Sequence, residues 1–206
     1  MMQWMQAYSL AELSVSCAVV IVWLTQASMS KPLAIPIRWI LVLLLGNLFF
    51  WPIGLSLELP LAGYVRGVTG DLSVVLTLLL WSSVLLPSRP APLGFRFALS
   101  GIAILFYPLA LGLGMLDPYA WGYGSLGLLL AITLFALVCG LLGWTKGVWI
   151  IALAIVAWAG HWHESTNLWD YVLDPLLCLW ALITCIQVLL RKRRDKARSG
   201  YLFRPG

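Results

Sequence analysis

The sequence predicts an all-α integral membrane protein: a polytopic bundle of about seven transmembrane helices, N-terminus outside the cytoplasm and C-terminus inside. Three observations carry this. The 206 residues are 62% hydrophobic and 10% charged, with a mean hydropathy of +0.94. Soluble domains carry about 25% charged residues, and a water-soluble chain of this size has nowhere to hide so much apolar surface. The apolar residues also come in long runs separated by proline, glycine and charge, which is the helical membrane pattern rather than the alternation of a barrel. Finally, basic residues crowd into one set of the loops between the runs.

The first run spans 7–27. No Lys or Arg precedes Lys31, so a positively charged leader region is missing and the run reads as a span rather than a cleaved signal. Lys31-Pro32 and Pro36 separate it from the second run, 37–57. A mixed stretch, 58–70, follows, with Pro60, Gly63, Gly67 and Gly70 as breakers. The third run, 71–86, stops at Pro87. The fourth, 97–116, carries Pro108 in mid-span, where a kink is expected. Asp117-Pro118 opens an aromatic loop expected to lie flat on the outer surface. The fifth run, 124–143, ends at Trp144-Thr145-Lys146-Gly147, which reads as a tight hairpin. The sixth spans 148–161 and the seventh 168–190. Residues 1–190 then form a single bundle, and 191–206 a basic cytoplasmic tail.

Loop charge sets the orientation. With the C-terminus inside and seven crossings, the inner side holds 12 of the 13 basic residues and leaves Arg66 alone outside. The acidic residues sort the other way: Glu12, Glu58, Asp71, Asp117, Glu164, Asp170 and Asp174 fall outside, and only Asp195 inside. Six or eight crossings would blur this separation. The runs are defined by hydropathy alone, so the sorting of charge is independent support for seven. Six of the basic residues lie between Arg191 and Arg198. That run suits an anionic lipid leaflet and gives no reason to expect nucleic acid.

Candidate chemistry gathers on the outer side. The third run is short: residues 72–86 reach roughly 22 Å at 1.5 Å per residue, against a hydrocarbon core of about 30 Å. Either the third helix begins before Asp71 or the bilayer thins around it, and in both cases Asp71 is drawn to the outer interface or below it. The run 175–190 is similarly short and draws in Asp174 and Asp170, which share a helix face at i,i+4. A carboxylate at that depth needs a partner, and Arg66 is the cation on that side. Asp71 is also placed to cap the third helix. The Arg66–Asp71 segment is either a scaffold pair or a site in which Arg66 holds an anionic group while a carboxylate acts as base.

His161-Trp162-His163-Glu164 follows the sixth run. On a helix the two histidines point about 200° apart, so they converge on a metal only if the helix has ended. The expectation is loop histidines, one of which is available for acid–base work, with no metal and no cofactor. Glu12 is expected to mark the outer interface or, as the alternative, to face the bundle; Asn167 is expected to cap the last helix, and Trp169 and Tyr171 to anchor it at the interface. Cys17, Cys139, Cys178 and Cys185 sit inside apolar runs as small core residues. Gly-x-Ser-x-Gly, His-Glu-x-x-His, Walker and Cys-x-x-Cys motifs are all absent.

The first expectation is therefore a non-catalytic subunit or assembly factor of a bacterial inner-membrane envelope system, with a protein partner in the membrane or periplasm. The alternative is an enzyme acting on a lipid or lipid-linked substrate at the outer leaflet. Its catalytic residues would be Asp71, His161, His163 and Asp174, with Arg66, Glu164 and Asp170 binding substrate. A small transporter is the second alternative, although no inverted repeat is visible.

Overall fold

A computed structural model describes residues 2–52, 58–86 and 89–202. Among these residues the regular structure is entirely helical. The helices are α1 (Met2–Ser28), α2 (Ile35–Phe50), α3 (Leu61–Thr69), α4 (Val74–Leu85), α5 (Leu93–Ala110), α6 (Leu126–Leu141), α7 (Thr145–Ala159), α8 (Leu168–Val172) and α9 (Pro175–Leu202). A 3-10 turn, Tyr119–Gly122, lies between α5 and α6. Three segments are long and apolar enough to cross a membrane: Gln6–Ser28, Leu93–Ala110 and Pro175–Lys196. Helices α2, α4, α6 and α7 are apolar but shorter.

Several boundaries differ from expectation, each for a local reason. The third helix begins after Asp71 rather than before it, because Ser73 supplies the cap: its Oγ accepts from the Leu76 N–H at 3.1 Å. The stretch 58–70 contains α3, which starts after Pro60 and stops at Gly70, whose φ of 71° suits glycine. Pro108 falls in the last turn of α5 rather than mid-span, and its carbonyl accepts from Leu113 N–H at 3.0 Å. The hairpin between α6 and α7 is one step earlier than expected. Gly143, at φ 76°, makes the turn, and Thr145–Gly147 already belong to α7.

The seventh run is two helices. Leu173 is extended, and α9 begins at Pro175, where the missing N–H costs nothing. Asp170 and Asp174 therefore do not share a helix face. Helix α9 also runs on through the basic segment to Leu202. The far end of the expected second run, 53–57, lies outside the described residues.

The chain divides into two compact units. The larger holds α1–α4 and α6–α8, with α1 packed on α2, α3 and α4, and α7 on α4, α6 and α8. Its core includes Ala18, Val19 and Val22 of α1, Val42 of α2, and Val84 and Leu85 of α4. Helices α1 and α2 meet at Gly46, where an added Cβ would make an ordinary contact with Val15 at 3.6 Å. Arg38 ties α2 to the end of α4, donating to the Val84 carbonyl at 3.0 Å.

The smaller unit pairs α5 with α9. Leu99, Ala103 and Phe106 are buried on α5, and Leu177, Ala181 and Cys185 on α9. Arg96 lies 5.5 Å over the Trp180 ring.

The helices are apolar on their exposed sides too. Helix α6 buries Leu128, Ile132 and Ala136 yet exposes Leu126, Leu130, Leu134 and Leu141. An all-round apolar helix is foreign to a water-facing surface.

Candidate functional site

Three polar clusters lie in the larger unit. The first is built by the end of α3. One turn of helix and the Gly70 cap bring Arg66 back onto Asp71. The contact is a two-pronged fork, Nε to Oδ1 at 2.6 Å and Nη2 to Oδ2 at 2.8 Å. Glu164 approaches Arg66 Nη2 at 3.7 Å. The cluster is partly wet: the Arg66 and Asp71 side chains are 25% and 28% exposed, and Glu164 is 46% exposed. The hydrogen bond from Asp71 raises the guanidinium pKa most, desolvation opposes it, and the charges of Asp71 and Glu164 add to the rise. Asp71 is thus Arg66's partner and not the α4 cap.

The second cluster joins residues about a hundred positions apart. Asp174 Oδ2 accepts from the Ser73 backbone N–H at 3.0 Å and from its hydroxyl at 2.5 Å. Ser73 is fully buried and Asp174 is 7% exposed. The carboxylate satisfies an N–H at the start of α4 and favours the positive end of that helix. Arg66, expected to contact Asp71, Asp174 or both, takes Asp71, and Asp174 takes Ser73.

The third cluster was the least legible. After α7 the chain turns through His161, the one non-glycine residue with positive φ (50°) among those described. The turn separates the two histidines. His161 is exposed, whereas His163 is 3% exposed and directs Nε2 to Glu12 Oε2 at 2.8 Å. Its ring stacks on Tyr171 with centroids 4.8 Å apart and planes 15° apart. Its backbone N–H donates to the Tyr171 hydroxyl at 3.0 Å, and that hydroxyl donates to the Ser165 carbonyl at 3.0 Å. Glu12 is held by a histidine from the loop after α7, and one expectation is corrected: Tyr171 is a fully buried support rather than an interfacial anchor.

Asp170 accepts from the Ser165 hydroxyl at 2.5 Å. Asn167 caps α8 as expected, its Oδ1 accepting from the Trp169 N–H at 2.9 Å. It does so against Gly122, where a Cβ would fall 1.6 Å from that same oxygen. The expected set thus separates into Arg66–Asp71–Glu164, Asp174 with Ser73, His163 with Glu12, Asp170 with Ser165, and an exposed His161.

No family model, curated protein or solved structure matches this chain. Among the described residues, no group of three or more His, Cys, Asp or Glu side chains is arranged to hold a metal ion.

Proposed function

We propose that this is a seven-crossing protein of the bacterial inner membrane, N-terminus out and C-terminus in, and a non-catalytic subunit or assembly factor of an envelope system. The apolar exposed faces support the membrane setting. The sorting of basic residues supports the orientation. Four polar links in the larger unit support the grouping of loops by side, whichever way the bundle faces. Glu12–His163, Arg66–Glu164, Ser73–Asp174 and Arg38–Val84 each join residues that this orientation assigns to one side. Glu12 and His163 can meet only if the chain crosses an even number of times between them. Six apolar helices do lie in that interval: α1, α2, α4, α5, α6 and α7.

One observation carries the non-catalytic reading. Most of the ionic groups singled out by the sequence are held by partners within the chain. Asp71 takes two donors of Arg66, and Asp174 is committed to the start of α4. Such groups fix a surface in place. A fixed outer face on a bundle with short inner loops suits docking to another envelope protein.

The test is purification from native membranes in mild detergent, with crosslinking at Glu164 on the proposed outer face. A stoichiometric protein partner, crosslinked from that position, is expected. A chain that purifies alone and turns over a lipid-linked substrate would favour the enzyme instead.

A further inference from the structure

Helix α9 does not end where its apolar run ends. The run Pro175–Leu190 reaches roughly 24 Å at 1.5 Å per residue, against a hydrocarbon core of about 30 Å. The helix then continues through Arg191, Lys192, Arg193 and Arg194 and on to Leu202. The stretch of α9 that is apolar enough to cross a membrane, Pro175–Lys196, includes those four basic residues.

The helical geometry of this segment matters. Four consecutive side chains on an α-helix stand about 100° apart and so surround it. Arg191, Lys192, Arg193 and Arg194 are all exposed. They make a collar of positive charge rather than a stripe on one side, and Asp195, the next residue, offsets only one of the charges. This turn has no apolar face to lay on a leaflet, as an amphipathic surface helix would. The apolar run is also shorter than the hydrocarbon core, which holds the collar at headgroup level. From there long basic side chains extend along their stems to the lipid phosphates.

We infer that this collar binds anionic phospholipid. The guanidinium forks of Arg191, Arg193 and Arg194 suit phosphate oxygens, and the Lys192 ammonium adds a point charge. The net negative charge of the headgroup selects the ligand over a zwitterionic lipid. The sequence suggested attraction by the whole basic run; the continuous helix confines tight binding to its first turn beyond Leu190. The inference goes beyond the proposed function and shares with it only the crossing by α9, whichever leaflet the collar meets.

The test is native mass spectrometry of the full chain in detergent. Phosphatidylglycerol, phosphatidylethanolamine and phosphatidylcholine are added at equal concentration. The glycerol lipid should be retained about tenfold over either of the others at low salt, and the preference should shrink as salt is raised. Changing Arg191, Lys192, Arg193 and Arg194 together to Gln should abolish it. Lys196→Gln with Arg198→Gln, farther from the apolar run, should keep most of it. Equal losses in the two variants would spread binding over the whole tail and overturn the collar. Inorganic phosphate at millimolar concentration should not displace the lipid; displacement would mean that a free anion is the ligand and would overturn the lipid assignment. Equal retention of the three lipids by the unaltered protein, or a preference indifferent to salt, overturns the inference whether or not the variants insert. That result leaves the membrane reading standing, because the topology is measured separately.

Discussion

Asp174 holds Ser73 with a single carboxylate oxygen, which accepts both the backbone N–H at 3.0 Å and the hydroxyl at 2.5 Å. The bond fastens the start of α4 to the segment between α8 and α9, so local helix capping and tertiary closure depend on the same oxygen. Both residues are buried. Asp174→Ala should cost about 2–3 kcal/mol, because it strands a buried N–H. Ser73→Ala should cost about 1–2 kcal/mol through the lost cap. The two losses should be strongly non-additive in a double-mutant cycle of thermal stability in detergent. Additive losses would show that the contact is not formed.

The Arg66–Asp71 fork should matter less. Its geometry is good, but both side chains are a quarter exposed, and water and salt screen such pairs. Arg66→Ala should therefore cost about 1 kcal/mol, well below the 3–5 kcal/mol of a buried pair. Salt should weaken the effect. The pKa of Arg66 is raised on folding, so its contribution is complete below the ordinary arginine range and is lost only in stronger alkali. Stability attributable to this pair should be flat between neutral and mildly alkaline pH. A loss of several kcal/mol on Arg66→Ala would place the pair in a dry environment.

The two histidines should behave oppositely. His163→Ala removes the partner of Glu12 and leaves both carboxylate oxygens unpaired, at a cost of about 2–3 kcal/mol. Tyr171→Phe should cost about 1–2 kcal/mol, since its hydroxyl serves both His163 and Ser165. His161→Ala, at an exposed turn, should change stability by less than about 0.5 kcal/mol. Melting temperatures of the three variants decide the matter, and equal effects of the two histidines would contradict the geometry.

The apolar helices were legible because proline, glycine and charge separate their hydrophobic runs along the chain. The break before α9 had a local signal that the reading of one continuous run passed over. Asp174 precedes Pro175, and a residue before proline is driven out of the helical region. The length of the apolar run masked that local rule. Helix α3 was hidden by Gly63 and Gly67, which weaken helix propensity. The Glu12–His163 pair joins positions 151 residues apart, and no local pattern encodes such a contact. Its one trace was a carboxylate within the first apolar run, which has to find a partner.

Gly122 offers a test of the α8 cap. A Cβ there would collide with Asn167, whose amide is fully buried. Gly122→Ala should destabilise by about 2–3 kcal/mol. Gly67→Ala, where nothing lies within 4 Å, should be neutral or slightly stabilising by helix propensity. Comparable losses at the two glycines would indicate that Asn167 is not where the cap requires it.

Topology is the most direct measurement. Paired reporter fusions, one active only in the periplasm and one only in the cytoplasm, would be placed after Arg89, Asp117, Lys146, Glu164 and Arg198. The seven-crossing orientation predicts periplasmic signals after Asp117 and Glu164, and cytoplasmic signals after Arg89, Lys146 and Arg198. A cytoplasmic signal after Glu164 would put the Glu12–His163 and Arg66–Asp71 clusters on the inner side and contradict the proposed orientation.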